Sequence, residues 1–206
     1  MNMNIKKSTY HHGNLREVLI SSALDILKEG TLQDLSLRAL ARKAGVSQTA
    51  PYRHFEDKEA LIVVLIQEGS NILQEKMKAA CEQSSEPVER LINMGMAYYD
   101  FADAHPAHFR LMFGGNLERK EKHITLVEIE QKGYAIVEFV VGECMKLPNA
   151  PQKPAELVRL TCWSLVHGLS NLLLNDVSND DIPADANKRT LAREVISLMT
   201  KSLFEK

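Results

Sequence analysis

Within twelve residues, from Ser47 to Lys58, the chain gathers Gln48, Thr49, Tyr52, Arg53 and His54 between a serine and a lysine. Each of these side chains carries a hydrogen-bonding or charged group, and Phe55 is the strong apolar anchor among them. A short surface segment with one such anchor is poor at stabilising itself and suits a reading surface. Arginine pairs with guanine, glutamine with adenine, and a threonine methyl touches thymine, so Arg53, Gln48 and Thr49 are candidates for base edges. Tyr52 and His54 can hydrogen-bond phosphate oxygens, which fixes docking but carries little sequence information. Lys58 opens a helix whose free N–H groups and positive dipole end suit a phosphate. Arg38, one helix earlier, is a candidate for either backbone or base.

The elements that must hold this cluster can be read from the residues around it. Ser36 is a plausible N-cap. Leu37, Leu40, Ala41 and Ala44 follow at helical spacing and form one apolar stripe. Arg38, Arg42 and Lys43 fall off the stripe. Gly45 stands just past the last periodic residue, where a left-handed backbone closes a helix. Ser47 is the next N-cap candidate. A helix, a glycine-containing turn and a short second helix make a helix-turn-helix, whose second helix enters the DNA major groove. Pro51 is the fourth residue after Ser47, one past the first-turn positions that tolerate proline. The second helix therefore either starts late or has a tightened first turn.

Charge distribution agrees. The 206 residues carry a net charge of −2. Residues 1 to 55 hold eight Lys/Arg against four Asp/Glu, a net of +4, which leaves −2 − 4 = −6 for the remainder. A basic end on an acidic body is expected when one end faces phosphate. Apolar residues make up 45%, enough for a substantial core. Cys81, Cys144 and Cys162 are widely spaced with no C-x-x-C, which suits a reducing cytoplasm and no disulfide frame. The first ten residues are polar and basic, unlike a signal peptide. No apolar run approaches ~18 residues, so no membrane span is expected.

The rest of the chain reads as helices: about 57 to 80, 86 to 104, 107 to 113, 118 to 145, 155 to 174 and 191 to 204. His105-Pro106 ends one of them, because a residue before proline is biased out of the helical region. Leu165, Leu169 and Leu172 on one helix, and Leu191, Val195, Leu198 and Met199 on the next, cover more than a single stripe. Such helices are buried on more than one side. Trp163 and His167 are four apart on one face, beside Gly168. They could fill core or line a pocket, and pockets commonly lie between bundle helices. Tyr98, Tyr99, Phe101, Phe109, Met112, Phe113 and Tyr134 are their candidate neighbours by helix position. His11, His12, Asp103, His105 and His108 invite a metal reading, but a metal site needs three or more convergent ligands, and none is expected. No nucleotide-binding glycine loop, zinc-protease motif or G-x-S-x-G elbow is present, so neither cofactor nor catalysis is expected.

Residues 14 to 61 resemble the DNA-binding domain of the tetracycline-repressor (TetR) family of bacterial regulators. The residues that carry this are Leu40-Ala41, Gly45-Val46-Ser47, Tyr52-x-His54-Phe55, and Lys58 followed by Leu61. Asn14-Leu-Arg-Glu17 fits as well, as a capping box with Asn as cap. Tyr10-His-His-Gly-Asn-Leu-Arg16 and Trp163-Ser-Leu-Val-His167-Gly168 resemble one branch of the family. The resemblance implies an all-α fold of about nine helices. A helix-turn-helix head at 1–60 would precede an effector-binding and dimerisation domain at 61–206. It implies a homodimer joined through the last two helices, a palindromic double-stranded DNA operator, a small-molecule effector and repression relieved by that effector. Two rivals are a DNA-binding protein without an effector and a helical enzyme with a vestigial helix-turn-helix.

Overall fold

The structure is a computed structural model that describes residues 15–114, 123–174 and 187–205. Among the described residues it contains eight α-helices, one 3-10 turn and no strand. The chain forms two compact units, Met1–Ile62 and Val63–Lys206.

The first unit holds α1 (Leu15–Glu29), α2 (Leu37–Lys43), the 3-10 turn Pro51–Arg53 and the start of α3 (Lys58–Cys81). The expected cap at Asn14 and the His11-His12 pair lie outside the described residues. Ser36 caps α2, its Oγ accepting from the Ala39 N–H at 3.1 Å. At the other end Gly45 turns left-handed, with φ 68°. Val46 N–H then donates to Ala41 O at 3.0 Å and Gly45 N–H to Arg42 O at 3.2 Å. This paired closure satisfies two carbonyls that the helix end would leave open. α2 packs on both α1 and the 3-10 turn. Leu19, Ala23, Leu35, Leu40, Ala41, Phe55 and Leu61 make the small core between them.

The second unit is organised around α4 (Pro87–Ala104), which packs against α5 (Pro106–Phe113), α6 (Ile124–Cys144), α7 (Ala155–Leu174) and α8 (Lys188–Phe204). Leu91, Ile92, Met96, Tyr99, Phe101 and Ala102 point to several sides of α4 and are all buried. The central helix is therefore α4, whereas the sequence suggested burial on several sides for α7 and α8. One residue, His105, separates α4 from α5; its ψ of 54° is non-helical, as Pro106 requires. α8 begins about a turn earlier than expected because Asn187 caps it, accepting from Thr190 N–H at 3.0 Å. The bidentate contact of Arg189 with Asp100, at 2.7 and 2.9 Å, ties α8 to α4.

α7 and α8 each keep an uncovered apolar side. Leu157, Leu160, Trp163 and Leu172 are 43–54% exposed, and Leu198 is 74% exposed. Leu165, Leu169, Leu191, Val195 and Met199 are half-buried. By length and mean hydropathy, 1.3, α7 reaches the minimum for a membrane-crossing helix, against the expectation from runs of apolar residues. The difference arises because Thr161, Ser164, His167 and Asn171 interrupt each run without lowering the average far enough.

Candidate functional site

The 3-10 turn presents the cluster expected to read DNA. Ala50 and Pro51 are buried beneath it. Arg38, Ser47, Gln48, Thr49, Tyr52, Arg53 and His54 are exposed. Proline is what shapes the segment. It starts a tight turn in which the Pro51 carbonyl accepts from both His54 N–H and Phe55 N–H at 2.9 Å. The expected second α-helix is thus a turn at 48–50 followed by one 3-10 turn, the tightened alternative. Ser47 bonds Thr49 side chain to side chain at 3.2 Å, and its carbonyl accepts from Ala50 N–H at 3.0 Å. Lys58 is half-buried, and its ammonium donates to the Leu32 carbonyl. One of its three donors is thereby held within the protein, and the ammonium is fixed beside the α3 N-terminus.

A cavity of about 160 Å3 lies in the second unit. Its wall includes Tyr98 of α4, Met112 and Phe113 of α5, Tyr134 of α6 and Trp163 of α7. α3 adds Ile66, Ser70, Leu73, Gln74 and Met77, and α6 adds Ile129, Glu130, Gly133 and Val137. Four residues expected on this wall are not on it, among them Tyr99, which is buried. Phe101 has no exposure and stacks on His105, with centroids 5.3 Å apart. Phe109 is buried edge-on to Tyr98 at 5.9 Å. His167 stands behind the wall and bonds Tyr98 Oη through Nδ1 at 2.8 Å. The α3 residues, and those of α6 other than Tyr134, were not foreseen from the sequence, although the apolar residues of α3 at helical spacing were visible there. The Gln74 amide nitrogen donates to the Ile129 carbonyl at 2.8 Å, joining those two walls.

A second, smaller cavity of about 50 Å3 shares Met77, Tyr98, Val137 and Trp163 with the first and continues toward Leu165, Met199 and Thr200. Two of the four shared residues, Tyr98 and Trp163, are aromatic. Trp163 stacks on His167 at 5.4 Å, and Phe113 meets the same ring at 5.1 Å. Burial pushes the Tyr98 phenol well above its ordinary range and holds His167 below its own. Both are neutral at physiological pH.

His105 and His108 pack edge to face at 5.9 Å. Among the described residues no three His, Cys, Asp or Glu converge on a metal position. Burial raises the Cys144 thiol to about 12 and the Cys162 thiol to about 11, leaving both protonated and unreactive.

A capped helix, a left-handed glycine and an exposed polar turn, on a chain with a hollow helical body, define a helix-turn-helix regulator. Residues 19–65 match the family described as bacterial regulatory proteins, tetR family. Residues 91–198, more than half of the chain, match the tetracyclin repressor-like C-terminal domain. The chain belongs to the tetR family of bacterial regulatory proteins and is a DNA-binding transcriptional regulator. Among similar solved structures is a protein of unknown function from Rhodococcus sp. RHA1. The two are 28% identical over 96% of this chain and 97% of that one, with a TM-score of 0.76. The fatty acid degradation regulator FadR of Bacillus halodurans is 16% identical over 96% and 100%, with a TM-score of 0.74. FadR of Bacillus subtilis in complex with stearoyl-CoA is 16% identical over 89% and 97%, with a TM-score of 0.72.

Proposed function

We propose that this regulator is a homodimeric repressor of a palindromic operator, released by a small-molecule effector held in the 160 Å3 cavity. The observation that carries the reading is α3. This helix opens with Lys58 and supplies five residues of the cavity wall. An effector that binds the DNA-free form better would shift this helix, and the coupling is reciprocal, so operator DNA would weaken effector binding. The residues that would touch DNA are Arg38, Ser47, Gln48, Thr49, Tyr52, Arg53, His54 and Lys58. The uncovered sides of α7 and α8 support dimerisation through Leu165, Leu169, Leu172, Leu191, Val195, Leu198 and Met199. Residues 1–60 would form the DNA-binding domain, and 61–206 the effector and dimerisation domain of a cytoplasmic protein in the Trp-x-x-x-His-Gly branch.

The cavity's volume favours a compact effector. A 150 Å3 protein cavity holds about one benzene ring, and drug-sized ligands occupy ~300 Å3 or more.

Footprinting on the DNA upstream of its own gene tests the proposal. Protection of two half-sites about one helical turn apart is expected, lost progressively with salt. Arg53→Ala should relax operator specificity, while Lys58→Ala should weaken binding to all sequences. Equal loss on specific and random DNA for both variants overturns these assignments. A thermal-shift panel of small metabolites tests the effector arm, and an effector that stabilises the protein without reducing operator occupancy overturns induction.

A further inference from the structure

Tyr98, which lines both cavities, ends a hydrogen-bond chain whose proton positions can be worked out. Asn171 Nδ2 donates to the His167 backbone carbonyl at 2.8 Å. Only the amide nitrogen can make that bond, so the orientation of the Asn171 amide is fixed. The same nitrogen lies 3.2 Å from His167 Nε2. A donor facing Nε2 makes it the acceptor, and a neutral imidazole must then carry its proton on Nδ1. Nδ1 is the atom 2.8 Å from Tyr98 Oη. His167 therefore donates and the phenol oxygen accepts. A phenol oxygen that accepts from His167 Nδ1 keeps its own proton to donate. Tyr98 is 5% exposed and lies on the wall of both cavities.

We propose that the Tyr98 hydroxyl, oriented by His167 and Asn171, donates a hydrogen bond into the cavity and selects an uncharged, single-ring ligand that carries an acceptor oxygen. This inference rests on the effector reading of the cavity. The rest of the wall supports the ligand class. Met112, Phe113 and Trp163 offer apolar and aromatic surface. Among the described wall residues there is no lysine or arginine to neutralise an anion, and Glu130 already has an interaction of its own. A ligand that displaces water from the hydroxyl without offering an acceptor leaves the phenol proton unpaired, and leaving a buried donor unsatisfied costs ~1–3 kcal/mol. A ligand without the oxygen is rejected on that ground, as sites built to hydrogen-bond a substrate reject analogues that lack the partner group.

Two measurements on the full chain test this. Long-range proton–nitrogen correlation of the histidine rings, with His167 assigned by its loss in His167→Gln, reads the tautomer directly. A protonated Nδ1 and a bare Nε2 are expected, and the opposite tautomer overturns the proposal. Calorimetric titration then compares acetophenone with α-methylstyrene, its hydrocarbon isostere. Acetophenone should bind the wild type ~10-fold more tightly, the factor that one such hydrogen bond supplies. In Tyr98→Phe the ratio should fall toward one. Equal binding of the two probes to the wild type overturns the donor role while leaving the cavity a ligand site. Binding of neither probe at millimolar concentration overturns the ligand class, whereas the effector reading is decided separately by the thermal-shift panel.

Discussion

His108 gives the protein a pH dependence that can be worked from its surroundings. The residue sits on α5 against α3, is 4% exposed, and has no hydrogen-bond partner at Nε2. The Glu68 carboxylate is 3.7 Å away, and His105 is its ring neighbour. Burial, with a smaller contribution from His105, lowers its pKa from 6.5 to about 4 despite that carboxylate. Between these values the unfolded chain binds a proton that the folded chain refuses, so stability falls as pH drops from 6.5 to about 4. Above 6.5 the residue contributes no slope. The full loss is about 3 kcal/mol, of which roughly 2 is gone by pH 5. Urea unfolding at pH 7.5, 6.0, 5.0 and 4.5 measures it, read by the fluorescence of Trp163, the single tryptophan, which reports on the second unit. His108→Gln keeps a polar side chain and removes the titration. The wild-type stability relative to this variant should fall by roughly 2 kcal/mol between pH 7.5 and pH 5. Parallel loss in the two proteins refutes the reasoning, because His105 and His167 titrate in both. A wild type that gains on the variant in acid would mean that Glu68 captures the proton as an ion pair.

The other predictions are narrower. Gly45→Ala meets no atom within 4 Å but must hold φ near 68°, so it should destabilise the first unit by ~1–2 kcal/mol, visible as earlier loss of amide protection in α2. Leu172→Glu combined with Leu198→Glu should leave the secondary structure intact and convert the proposed dimer to a monomer in analytical ultracentrifugation. Dimerisation unaffected by both charges would move the interface elsewhere. With a thiol reagent, the native protein should label only Cys81, the half-buried cysteine, and do so slowly because burial raises its pKa as well. Denaturation should expose all three thiols; fast native labelling of Cys144 or Cys162 would contradict their burial.

What could be read from the sequence divides by the range of the interaction that decides it. Ser36 and Gly45 act on backbone groups within five residues of themselves, so the ends of α2 follow from local chemistry. Pro51 is also local, and it left two outcomes open, between which the 3-10 turn decides. Which helix is central was not local. α7 is more apolar by composition than α4, yet α4 is buried on more sides because four helices pack on it. An apolar helix surface needs covering, but its sequence does not say whether the cover is the same chain or another.

The cavity shows the same limit more sharply. Phe101 and Tyr98 are three residues apart on one helix face, and both suited a wall, but only Tyr98 lies on it. Ile66, Leu73 and Met77 are spaced like core residues, and a cavity wall on a helix needs that same spacing. Core and wall differ only in whether the opposing helix fills the space, which depends on side chains far away in the chain. Polar residues on an apolar face are the better local signal. Ser70 and Gln74 on α3 are 9% exposed, and Gln74 is held by the Ile129 carbonyl across the opening. A buried amide at that spacing needs a partner, and looking for it from α3 leads to α6 and so to the cavity between them.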